Sequence, residues 1–220
     1  MNDERLERDL LVALSAVGYL RAHGPELAPG GAAPERSDLR QVVLVQRLRR
    51  AIRKLNAALP QAAREGVLQR VLTPGAAEAD FLRMLIDGVA LQADGETALL
   101  IDRARPGRNE WLAVSRFAVP GPGGNRTLDI VLFVNGLPLV AIDLQGPAAR
   151  ETDRWALTRS GRGGELQPYG GWRVARDAEA KPADAPSAGL QALVRGCLAP
   201  KPLLDALGAW NPADRSPAPK

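Results

Sequence analysis

Apolar residues recur at the helical period up to residue 88, and from Val89 they follow the period of strands. Leu6, Leu10, Leu11, Leu14 and Val17 predict an amphipathic helix over residues 3 to 17, which Asn2 or Asp3 can cap and Gly18 ends. Residues 23 to 34 hold Pro and Gly and are expected to form a loop containing His23. Val42, Val43, Leu44, Leu48, Ile52 and Leu55 share one broad face of a second helix over 37 to 57. Shorter helices are predicted at 61 to 72 and 78 to 86. Strands are predicted at 97 to 102 and 110 to 119, separated and followed by Pro/Gly turns at 104 to 109 and 120 to 125.

Residues 127 to 145 form the strongest signal. Two nearly continuous apolar runs meet at Asn135-Gly136, a pair that tolerates positive φ and marks a β-hairpin. Runs this apolar predict a hairpin central in its sheet and covered on both faces. Asp129 opens the first run and Asp143 closes the second. A strict two-residue loop pairs Val134 with Leu137 and leaves the two aspartates on opposite faces. A three-residue loop, or a bulge nearby, sets Asp129 across from Asp143. Facing carboxylates about 5 Å apart repel by roughly 3 kcal/mol at an effective dielectric near 20. A divalent cation would turn that repulsion into ligation. The alternative is that each aspartate simply caps a strand end in water.

Beyond the hairpin the pattern weakens. Residues 151 to 171 show neither a helix nor an apolar strand, and Pro168 rules out a helix through Gln167 and Tyr169. Residues 181 to 187 look like a Pro/Ala linker. Leu190, Leu193, Val194, Leu198, Leu203, Leu204 and Leu207 predict helix over 188 to 207, broken in two at Pro200 and Pro202. Cys197 lies in this series and is expected to be packed rather than reactive. The polar tail from 209 to 220 is expected to be disordered.

Composition narrows the chemistry. The 220 residues suffice for one domain with a real core, and helices before a meander and hairpin predict an α/β layer fold. One cysteine and one histidine exclude an internal disulfide and argue against zinc-type sites. The net charge of +4 suits a polyanionic partner without establishing one. Arg40, Arg47, Arg49, Arg50, Arg53 and Lys54 make the second helix basic, either as a solvated face or as a phosphate-contacting surface. The sequence has no run of transmembrane length, no signal-like N-terminus and no Gly-x-x-x-x-Gly-Lys-Ser/Thr loop, so a cytoplasmic chain without an ATP site is expected.

The run Asp-Ile-Val-Leu-Phe-Val-Asn-Gly-Leu-Pro-Leu-Val-Ala-Ile-Asp-Leu at 129 to 144 resembles the central hairpin of the N-terminal domain of type I restriction enzyme R (HsdR) subunits, nucleases of the PD-(D/E)xK class. The likeness extends to Glu7-Arg8-Asp9-Leu10-Leu11, to Ser37-Asp38-Leu39-Arg40, and to Asn109-Glu110-Trp111-Leu112-Ala113-Val114. It implies a restriction-endonuclease-like mixed sheet flanked by helices over 1 to 178, with an internal loss near 151 to 171. A helical extension at 179 to 208 would precede the family's helicase motor. It further implies a Mg²⁺ site at Asp129 and Asp143, the Leu144 carbonyl as a further ligand and Glu7 beside it. Arg47, Arg50 and Lys54 become candidate DNA contacts. Duplex DNA is the implied substrate, and modification and specificity subunits or a separate helicase polypeptide are the implied partners. The family usually reads Glu-Leu-Lys where this chain has Asp143-Leu144-Gln145. Gln145 at the lysine position predicts a weakened or inactive site; the alternative is a non-catalytic remnant or subunit-interaction domain.

Overall fold

The computed structural model describes residues 3–73, 78–91, 96–121, 124–142, 144, 152–156, 167–172 and 186–208. Helix α1 (Asp3–Ala16) buries Leu10 and Leu14 and stops at Gly18, whose φ of +103° suits glycine. Strand β1 (Leu20–His23) and the single-turn helix α2 (Gly24–Leu27) follow. Both lie where a loop was expected, and His23 closes the strand. The sequence carries little sign of β1 because it is an edge strand with largely exposed side chains. Its pairing is tertiary: Leu20 to His23 run parallel to Leu112 to Ser115.

The second helix, α3, spans Val45–Leu55, not 37 to 57. Arg36 explains the late start. Its guanidinium is buried, donates to the carbonyls of Gln41 (2.7 Å) and Ala118 (2.8 Å) and to that of Leu39, and lies 4.1 Å from the Phe117 ring centroid. Carbonyls that a helix would use are thereby taken by a side chain. Burial pulls the Arg36 pKa down to about 10, against the opposing pull of Asp38. Helices α4 (Gln61–Leu72) and α5 (Glu78–Asp87) fall where the periodicity put them.

Two short strands, β2 (Val89–Ala90) and β3 (Thr97–Ala98), pair with each other. The expected strand at 97 to 102 ends early because asparagine side chains replace a ladder. Asn56 bonds both the N–H and the carbonyl of Leu99 at 2.8 Å, and Asn109 does the same for Asp102 at 2.8 Å. A 3₁₀ turn (Pro106–Arg108) leads into β4 (Trp111–Gly121), β5 (Gly124–Val134) and β6 (Leu137–Ile142). The four-stranded mixed sheet has the order β1-β4-β5-β6. Among the described residues β5 lies between β4 and β6. Strands β7 (Thr152–Ala156) and β8 (Gln167–Trp172) pair antiparallel, within the stretch where neither helix nor strand was expected, and β7 lies beside β6.

Both faces of β5 are covered, as its apolar run predicted. Ile130, Leu132 and Val134 join the helical layer with Leu10, Leu14, Leu48, Ile52, Leu68 and Leu85. Val131 and Phe133 face Leu27 of α2, Leu44, and Phe117 of β4. The chain closes with α6 (Pro186–Leu193), a π turn (Val194–Leu198) and α7 (Pro200–Gly208). Helix α6 begins inside the expected linker, and the break falls at Ala199, before the prolines. Val194, Leu198, Leu203 and Leu204 belong to the same apolar layer as α1, and the Tyr19 hydroxyl donates to the Leu198 carbonyl at 2.8 Å. No helix among the described residues is long and apolar enough to cross a membrane.

Candidate functional site

The hairpin contains a bulge, one of the two arrangements named from the sequence for setting its acids across from each other. The turn has two residues, with Val134 paired to Leu137 and Phe133 to Pro138. A bulge follows: Leu132 pairs with Val140, so Leu139 is the extra residue, and the ladder continues through Val131–Ala141 to Ile130–Ile142. The turn itself is clamped from outside. Asn135, buried and at φ +52°, gives its amide to the Leu100 carbonyl (2.8 Å) and to Asn109 Oδ1 (2.9 Å), and its Oδ1 accepts the Glu110 N–H (2.8 Å). The Leu44 N–H donates to the Gly136 carbonyl at 2.9 Å. These contacts allow little slip at the tip, so the shift is taken up within β6.

Asp129 is half-buried near the far end of the hairpin. Its Oδ2 accepts the backbone N–H of Leu144 at 2.6 Å. Ile142 and Leu144, the two neighbours of Asp143, are therefore both fixed beside the Asp129 end of β5. Asp143 and Gln145 themselves lie outside the described residues. Among the described residues no group of three or more His, Cys, Asp or Glu is placed to hold a metal ion. The donor set named from the sequence is all oxygen, from carboxylates and one carbonyl, and this chemistry fits a hard cation such as Mg²⁺.

Glu7 projects from α1 toward the sheet and meets a residue that the sequence reading passed over. Arg116 Nε stands 3.9 Å from Glu7 Oε2. Arg116 lies inside β4 at φ +52°, a left-handed conformation for a non-glycine residue. The pairs Ser115–Ile130 and Phe117–Leu128 flank it, so Arg116 and Asp129 occupy facing positions of the two strands. Here both strands step by one residue. Leu112 and Val114 share an apolar layer with Phe117 and Val119, and Leu128 shares it with Val131 and Phe133, although strict alternation would separate each set. The step was visible in the sequence as a Ser-Arg pair that shifts the phase of the apolar residues in 112 to 119.

The basic helix lies elsewhere. Helix α3 starts against the hairpin tip, six strand residues from Asp129, or about 20 Å at the usual strand rise. Arg50 and Lys54 are exposed on it, with Lys54 Nζ donating to the Arg108 carbonyl at 2.6 Å. Arg47 points inward and bridges Glu35 and Glu110 at 2.5 and 2.7 Å. The hydrogen bonds it donates to Glu35, joined by that to Glu110, hold its pKa above the ordinary arginine value despite burial. The structure therefore does not gather Arg47, Arg50 and Lys54 with the acids.

A mixed sheet whose long hairpin carries Asp129 near its open end, with helices packed around it, is a restriction-endonuclease-like α/β fold. The description "Type I restriction enzyme R protein N terminus" matches residues 1–157, and the chain belongs to this family. It is 32% identical over 165 residues to the type I restriction enzyme HindI endonuclease subunit of Haemophilus influenzae. It is 29% identical over 169 residues to the putative type I restriction enzyme MjaIXP endonuclease subunit of Methanocaldococcus jannaschii. Each match covers 70% of this chain but 16% of the relative, so the chain spans about a sixth of the length of these relatives.

Proposed function

We propose that this chain is the nuclease part of a type I restriction R subunit and hydrolyses phosphodiesters of duplex DNA weakly, with Mg²⁺ held by Asp129 and Asp143. The observation that carries this reading is the bulged register ending at Ile130–Ile142. The reading takes the next pair of that register to be Asp129 with Asp143, the latter outside the described residues. The Leu144 carbonyl is the next oxygen along the chain, and Glu7 approaches from α1. When bound there, Mg²⁺ supplies charge neutralisation at the phosphate and a more acidic attacking water. Asp129 and Asp143 orient it. Gln145 can hydrogen-bond that water but can neither carry charge nor take its proton. Removing one group that stabilises the transition state commonly costs about 100- to 1000-fold in rate, hence the weakness.

The exposed Arg50 and Lys54 provide phosphate contacts at a distance from the cutting site, on the same bound duplex. A DNA substrate and the other restriction-modification subunits as partners support a cytoplasmic location. Without a Gly-x-x-x-x-Gly-Lys-Ser/Thr loop in the 220 residues, the hydrolysis proposed here does not depend on ATP.

A metal titration by calorimetry, paired with plasmid nicking, tests the reading. Nicking that requires Mg²⁺ and disappears in Asp129→Ala supports it. Salt-dependent DNA binding with no cleavage at any metal concentration would make the chain a binding remnant of the restriction complex instead.

A further inference from the structure

Arg116 combines four properties that an ordinary strand residue does not. It adopts a left-handed backbone within a ladder, it faces the Asp129 position, it reaches Glu7, and its side chain is 52% exposed. A left-handed φ costs a non-glycine residue free energy and persists only where the surroundings impose it. The surroundings here are visible. A Cβ added to Gly24 would fall 2.3 Å from the Arg116 carbonyl oxygen, so the first turn of α2 is pressed directly against this peptide. The Glu7 contact is long, at 3.9 Å, and engages one of the five N–H donors of the guanidinium.

We propose that Arg116 is the phosphate-binding cation of this site: at the open end of the hairpin it grips a non-bridging oxygen of the DNA phosphodiester and supplies the positive charge that Gln145 lacks. The proposal rests on the nuclease reading above and deepens it. Arg116 supplies this charge from the interior strand β4. A planar fork suits a phosphate, and the Glu7 carboxylate stands 3.9 Å from its Nε. A guanidinium donates hydrogen bonds and has no acceptor, so Arg116 compensates for charge and not for proton removal.

The test uses the full 220-residue chain and a fluorescein-labelled 20-base-pair duplex. Anisotropy is measured in EDTA over 50 to 300 mM KCl for the wild type, Arg116→Gln and Arg116→Lys. One lost phosphate contact makes the slope of log K against log salt shallower by about 0.9 in Arg116→Gln, while Arg116→Lys keeps the wild-type slope. Nicking in Mg²⁺ falls in Arg116→Gln by about 100-fold. Circular dichroism melts of both variants establish that they are folded. An Arg116→Gln chain that is folded and binds with the wild-type slope overturns the role of Arg116 and leaves the nuclease reading standing if Asp129→Ala still abolishes nicking. A wild type that neither binds nor nicks overturns both.

Discussion

Arg47 and Glu35 meet in a two-point contact, Nε to Oε2 at 2.7 Å and a terminal guanidinium nitrogen to Oε1 at 2.5 Å. The same guanidinium also reaches Glu110, so one half-buried cation ties the loop before α3 to the start of β4. Arg47→Ala leaves two acids facing each other without a counter-charge. The side chains retain 15%, 22% and 34% exposure, so the loss is smaller than for a fully buried pair, at about 2 kcal/mol. Urea denaturation should show this drop for Arg47→Ala and less than about 0.5 kcal/mol for Arg50→Ala. Equal stabilities of the two variants would contradict the inward role of Arg47.

The hairpin tip offers a second measurement. Gly136 has φ +81°, and a Cβ there would lie 2.5 Å from the Leu44 carbonyl oxygen and 2.9 Å from the Leu48 nitrogen. Gly136→Ala meets both left-handed strain and a backbone clash at the head of α3. We expect a loss of about 3 kcal/mol in denaturant-induced unfolding. A variant as stable as the wild type would mean that the tip does not fix α3.

Tyr19 gives the chain a pH dependence of definite sign. Burial pushes its phenol well above its ordinary value of 10.0. The folded protein thus keeps its proton where the unfolded chain has begun to lose it. The stabilisation is complete below pH 10 and declines as pH rises above it. Tyr19→Phe should show a flatter fall in melting temperature between pH 9 and 11. At pH 7 the same variant should be about 1 kcal/mol less stable, because the Leu198 carbonyl loses its donor. Parallel alkaline profiles for the two proteins would count against a buried neutral phenol.

If Gln145 limits the chemistry because it cannot take a proton, restoring a base there should release it. Gln145→Lys is expected to raise Mg²⁺-dependent nicking by about 100-fold without changing DNA affinity in EDTA by more than about 2-fold. A lysine variant that nicks no faster would place the defect elsewhere, first of all at the short Asp143.

Elements with a strong local period were legible before the structure: α1, α4, α5, β4, β5 and the Asn135–Gly136 turn. What the sequence concealed is held by side chains acting on distant backbone. Arg36 delays α3, Asn56 and Asn109 replace a strand beyond Ala98, and β1 exists because β4 is beside it. The candidate site follows the same division. Asp129 stands out as an acid opening an apolar run. Arg116 was hidden because a single charged residue within a strand looks like a solvent-facing position until its backbone angle is known. The bulge at Leu139 was a stated alternative, and the choice between registers depended on how firmly Asn135 is held by Leu100, Asn109 and Glu110.

The placement of Val194, Leu198, Leu203 and Leu204 bears on how this domain can be excised from a longer polypeptide. A fragment trimmed to the family match at residue 157 would strip four side chains from the interior and leave the phenol of Tyr19 without its acceptor. A cut placed after Gly208 keeps that seam closed.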